Sequence, residues 1–76
     1  MNKIMYTPNF ELVEENGVYS VNNLTDYRIE IRIEDNEARL YMHGVNSSEF
    51  GNDYLTVLKD AYDFTKQIQE KYLDRN

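Results

Sequence analysis

The sequence predicts an α+β fold: a four-stranded antiparallel sheet made of two consecutive hairpins, with one C-terminal helix packed across one face. Three observations carry this reading. Residues Tyr27 to Glu34 alternate strictly, so Ile29, Ile31 and Ile33 share one face of a strand while Arg28, Glu30, Arg32 and Glu34 share the other. Asn16-Gly17 and Asp35-Asn36 each lie between two such runs and offer the residue types that two-residue hairpin turns require. Beyond residue 52 the apolar positions recur at helical rather than strand spacing.

Each element follows in chain order. Residues 1–8 end at Pro8 and read as a lead-in or a short edge strand. The sheet occupies 9–43, the helix 53–74, and the whole of 1–76 forms one domain. With Asn16-Gly17 as the first loop, Glu15 pairs with Val18, Val13 with Ser20 and Leu12 with Val21, so Phe10, Leu12, Tyr19 and Val21 line one side. The linker Asn22 to Asp26 is turn-rich. With Asp35-Asn36 as the second loop, Ile33 meets Ala38, Ile31 meets Leu40 and Ile29 meets Met42, and this all-apolar matching is what a correct register demands. His43-Gly44 through Gly51 connects to the helix, which Asn52 or Asp53 is expected to cap. Tyr54, Val57, Leu58, Ala61, Phe64, Thr65, Ile68 and Tyr72 form its apolar stripe, and the apolar face of the sheet supplies the surface that stripe needs.

Composition narrows the function. A domain of 76 residues buries only about 60% of its unfolded surface, which leaves little room for an enclosed active site. Cysteine is absent, which removes disulfides, thiolate metal sites and cysteine nucleophiles, and favours a reducing, cytoplasmic setting. The first residues carry no signal-peptide pattern, and no apolar run approaches the ~18 residues of a membrane span. Fourteen acidic and eight basic residues give a net charge of −6, a field that opposes nucleic acid unless a local basic patch overrides it.

Two surfaces are candidate sites. The register sets Arg28 opposite His43, Glu30 opposite Tyr41, and Arg32 opposite Arg39 on the open face of the sheet. Opposed arginines repel unless neutralised, and Glu30 and Glu34 lie within diagonal reach. The face therefore reads first as a solvated charge network. Its alternative role is an anion-binding patch of Arg28, Arg32, Arg39, Tyr41 and His43, because guanidinium forks fit phosphates and a tyrosine ring offers stacking area. The second surface is the acidic stripe of the helix: Asp53, Asp60, Asp63, Glu70 and Asp74. At a rise of ~1.5 Å per residue, successive carboxylates stand about 4 to 11 Å apart along the axis, a spacing like that of phosphates on a nucleic-acid strand.

Catalytic and metal chemistry find little support. His43 is the only histidine, and Ser47-Ser48-Glu49 nearby lacks the glycine elbow of a serine nucleophile. Gly17, Gly44 and Gly51 are isolated, so no phosphate loop exists. Glu34-Asp35-Asn36-Glu37 concentrates carboxylates at a hairpin tip, yet its spacing fits no calcium loop and it reads as a solvated turn. No enzyme activity, cofactor or metal is expected.

The order of elements, four strands and then a helix, resembles that of small coactivator-like modules that bind single strands. The resemblance implies binding through the open sheet face, although this chain lacks the basic strands and loops such binding uses. The leading expectation is a small acidic protein-interaction module or inhibitor, of the kind a phage or mobile element encodes. It would bind a larger protein, such as a nucleic-acid enzyme, through the carboxylate stripe as a nucleic-acid mimic. Binding of single-stranded nucleic acid by the open sheet face is the alternative. Homodimerisation through that face or an edge strand, around Tyr41 and Val13, is a third option.

Overall fold

Asn16 and Gly17 both adopt left-handed backbone angles (φ 54° and 81°), and so do Asp35 and Asn36 (φ 53° and 63°). Those are the angles of a type I′ turn, whose twist matches that of the strands it joins. The computed structural model of the chain describes residues 2–43 and 51–74. The first turn joins β2 (Phe10–Glu15) to β3 (Val18–Asn23); the second joins β4 (Ile29–Glu34) to β5 (Glu37–Met42), with β1 (Asn2–Tyr6) preceding them. Both registers are those expected from the turns: Leu12 faces Val21, Ile31 faces Leu40, and Arg32 faces Arg39.

The arrangement of the strands differs from a single four-stranded sheet in two respects. First, β1 pairs antiparallel with β2 across an irregularity between Lys3 and Met5, giving a three-stranded sheet in the order β1-β2-β3. That makes β2 a central strand, so Val13 is only 4% exposed and does not stand at a free edge for a second copy of the chain. Second, β4 and β5 form a separate two-stranded sheet. The seam between the sheets is closed by a side chain. Asn23 Oδ1 accepts the Ile31 N–H at 2.8 Å, and Asn23 Nδ2 donates to the Ile31 carbonyl at 3.2 Å. One amide thus satisfies both outward backbone groups of Ile31, as a neighbouring strand residue would.

Helix α1 (Asn52–Ile68) leads into a π-helical turn, Gln69–Leu73. The residue at the N-cap is Gly51 (φ 73°), rather than Asn52 or Asp53. A residue without Cβ adopts that angle at little cost, and Asp53 falls instead in the first turn, where the helix dipole favours a carboxylate. The regular helix also ends earlier than 74. The Asp74 N–H donates to the Gln69 carbonyl at 2.8 Å, an i→i+5 bond that widens the last turn. In a regular helix Leu73 would lie about 140° around from Ile68. The wider turn returns it to the core side, where it is 5% exposed.

The helix and the π turn cover one side of both sheets. Phe10 and Leu12 of β2 and Ile29 and Ile31 of β4 are buried with Tyr54, Val57, Ala61, Phe64, Ile68 and Leu73. Phe10 packs on Phe64 with ring centroids 5.8 Å apart, Tyr19 on Tyr72 at 5.6 Å, and Tyr27 edge-on to Tyr54 at 6.3 Å. Each fully buried large side chain of this kind contributes roughly 1.5–3 kcal/mol. Two polar contacts fix how the helix sits. Gln69 Oε1 accepts the Ala38 N–H at 2.8 Å, and Asn36 Nδ2 donates to the Leu73 carbonyl at 3.2 Å, which caps the end of the π turn with the β4–β5 hairpin. No helix among the described residues is long and apolar enough to cross a membrane.

Candidate functional site

The open face of β4 and β5 carries the side chains that alternate away from the helix. Strict alternation brings Arg32, Arg39, Tyr41 and His43 together there with Glu30 and Glu34. Arg32 grips Glu30 with both fork nitrogens, Nε at 2.8 Å and Nη2 at 3.1 Å, and its guanidinium lies 4.4 Å from the centroid of the Tyr41 ring. His43 Nε2 is 3.0 Å from the second oxygen of Glu30. Its ring is stacked alongside Tyr41, 6.4 Å away. The Tyr41 hydroxyl donates to Glu34 at 2.5 Å. Arg39 lies among Glu37, Glu34 and Asp35 at 3.6, 3.8 and 3.9 Å.

The register sets Glu30 and Glu34 within diagonal reach of the opposed arginines. Glu34 does lie diagonally from Arg39, at 3.8 Å, whereas Glu30 pairs along its own strand with Arg32, two residues away and on the same side. The hydrogen bonds from Arg32, and then the contact with His43, hold the Glu30 carboxyl below the ordinary carboxylate range. The same pairing raises the Arg32 guanidinium above its usual value. Arg28 stands at the end of the face in a left-handed backbone conformation (φ 59°). It is exposed and forms no ion pair with any described residue, and its carbonyl accepts the His43 N–H at 3.0 Å. Four carboxylates thus surround two guanidiniums, Arg32 and Arg39. An incoming phosphate would have to displace a carboxylate from each.

The tip carboxylates Glu34, Asp35 and Glu37 converge on Arg39 and not on a common vacant point. No group of three or more His, Asp or Glu side chains among the described residues is placed to hold a metal. Ser47, Ser48 and Glu49 lie outside the described residues.

The acidic residues of α1 and of the π turn and its end separate into two sets. Asp53, Asp63 and Glu70 are exposed and take part in no ion pair among the described residues. Asp60 and Asp74 have local roles. Asp60 is half-buried beside the sheet and accepts from Asn9 Nδ2 at 3.3 Å, while Asp74 accepts from Gln69 Nε2 at 2.6 Å. Helical phase alone, which assigned all five to one stripe, could not separate them, because the position of Asn9 depends on how the sheet meets the helix.

No family model, curated protein or solved structure matches this chain.

Proposed function

We propose that this chain is a small, acidic, non-catalytic interaction module. It binds a larger protein through the outer carboxylates of α1 and the π turn, as a mimic of the phosphates that protein would otherwise contact. The observation that supports the reading is the asymmetry of charge satisfaction. The guanidiniums of Arg32 and Arg39 are surrounded by carboxylates of their own hairpin, whereas Asp53, Asp63 and Glu70 point to solvent with no basic partner among the described residues. A rigid helix holds those carboxylates at fixed separation, so they enter a basic cleft with little further loss of freedom. The net charge of −6 steers such an encounter and makes it salt-sensitive.

The test is displacement of a labelled DNA duplex from a panel of nucleases and polymerases with basic clefts. The wild-type protein is expected to displace the duplex from at least one of them, with affinity that falls steeply as salt rises. Reversing two charges, Asp53→Lys with Asp63→Lys, is expected to weaken displacement by at least about tenfold. Displacement by the double variant as strong as by the wild type would exclude the helix as the contact surface.

A further inference from the structure

We infer that the outer edge of β5, with the groove beside it, receives an extended segment of a basic partner protein as an added strand. The direction of the backbone groups comes first. The Ala38 N–H reaches Gln69 on the helix, so it points away from β4, while the His43 N–H points toward β4 and meets Arg28. Backbone groups alternate sides along an antiparallel strand. Leu40 and Met42 therefore direct their N–H and C=O groups outward like Ala38, and no described residue pairs with them.

The other sheet margins differ. β1 is also an outer strand, but an irregularity between Lys3 and Met5 and the charge of Lys3 interrupt it, two devices that discourage strand addition. The margins of β3 and β4 lie against each other at the seam, where Asn23 bonds the Ile31 backbone. Among the described residues, the β5 edge is met only by Gln69, at one end.

A groove lies alongside this edge. Its volume is about 430 Å³; Ala38 and Leu40 line it from β5, Tyr62, Thr65 and Lys66 from the helix, and Glu70 and Asp74 from beyond the helix end, so two carboxylates outnumber one ammonium. Tyr62 in the groove is 65% exposed, and Met42, further along β5, 56%. A strand added at the usual spacing of about 4.8 Å would point every second side chain toward the helix, into this groove. An apolar side chain there would rest on Leu40 and Tyr62, and a basic one two residues along would reach Glu70 or Asp74. Main-chain bonds give such a complex its affinity, and the alternating pockets give it specificity.

Charge selects the occupant. A second copy would bring the same net charge of −6 and the same acidic groove end against itself, whereas a segment alternating apolar and basic residues complements both. This surface shares Glu70 with the function proposed above but not Asp53 or Asp63, so reversal of those two charges separates one from the other.

The experiment is an amide NMR titration of the full chain with a short synthetic peptide alternating valine with lysine. A peptide with glutamate in place of lysine and one interrupted by proline serve as controls. The valine–lysine peptide is expected to shift the Leu40 and Met42 amides and the Tyr62 ring, and neither control should. Met42→Pro removes one outward N–H and leaves the β4–β5 ladder intact, because that donor does not face β4; the expected loss is about fivefold in affinity. Tyr62→Ala, an exposed position that the core does not need, is expected to weaken binding by roughly threefold or more. Asp53→Lys with Asp63→Lys should leave the peptide bound. No binding by the valine–lysine peptide, shifts centred on the open face near Tyr41, or unchanged affinity in Met42→Pro would each overturn the inference. Concentration-dependent shifts of the same amides without peptide would assign the edge to a second copy and overturn the basic partner.

Discussion

Asn23 has a larger role than its position at a strand end suggests. A carboxamide carries a donor and an acceptor side by side, the same pair that a backbone presents to a neighbouring strand. By bonding both polar groups of Ile31, it spares them from burial without partners at the seam of the two sheets. Asn23→Ala leaves that N–H and that carbonyl unpaired, at a cost of about 1–3 kcal/mol. In a domain of this size each kcal/mol lowers the melting midpoint by about 4–8 °C. Asn23→Asp keeps the acceptor but turns a carboxylate oxygen toward the Ile31 carbonyl, so it is expected to fall at least as far as alanine. Circular dichroism melts of the two variants decide this, and midpoints equal to the wild type would remove Asn23 from the account of the seam. In the sequence, Asn23 was legible only as part of a turn-rich linker, because its partner lies eight residues away on another strand. The charged residues of the open face were legible individually, since alternation and the turn place each of them. Their pairing was legible in part: the register brings Glu34 diagonally to Arg39, but the choice of Glu30 for Arg32 depends on side-chain conformation.

At the scale of elements, the hairpins were readable for a local reason: turn chemistry and strand alternation give the same register independently. Two other features lacked that redundancy. Residues 1–8 were legible as a lead-in or a short edge strand, and β1 is that edge strand, but it pairs with β2 across an irregularity that hides its register. The π turn has no compositional mark, and at regular helical phase Leu73 points off the core. Its effect on packing is nonetheless specific. Widening the turn sets Leu73 beneath Ile68 and lets its carbonyl meet Asn36, so the end of the helix is fastened to the β4–β5 hairpin. Leu73→Ala is therefore expected to destabilise the protein by about 2–5 kcal/mol, the range for truncating a buried leucine. Tyr62→Ala, on an exposed face of the preceding helix, is expected to lie within about 0.5 kcal/mol of the wild type. Urea unfolding separates the two readily. A small effect at Leu73 would show that the π turn frays without consequence and does not help close the core. The groove beside β5 was equally hidden from the sequence, because it forms only where the helix is set beside Ala38 and Leu40.

For the whole molecule, charge links stability to pH through two carboxylates on opposite parts of the sheet layer. Glu11 is held below the ordinary range by its bond to Lys3 and then by Asn22; Glu30 is held there by Arg32 and then by His43. A carboxyl whose folded pKa is depressed binds protons less readily in the native state than in the unfolded chain. Its stabilising effect is complete above the unfolded carboxylate value of about 4.3 and disappears as pH falls through the lower folded value. The net charge of −6 acts in the opposite direction, since acidification lowers the self-repulsion it causes. The melting midpoint should therefore hold or rise slightly as pH drops from 7 to about 4.5, then decline below about pH 4 as the two paired carboxyls take up protons. Glu11→Gln with Glu30→Gln removes the linked groups while keeping side-chain size. That variant is expected to start lower at neutral pH and to lose much of the decline on the acid side, so the two curves converge. Thermal melts across this range test the assignment, and a parallel acid limb in the double variant would place the acid sensitivity at other carboxylates.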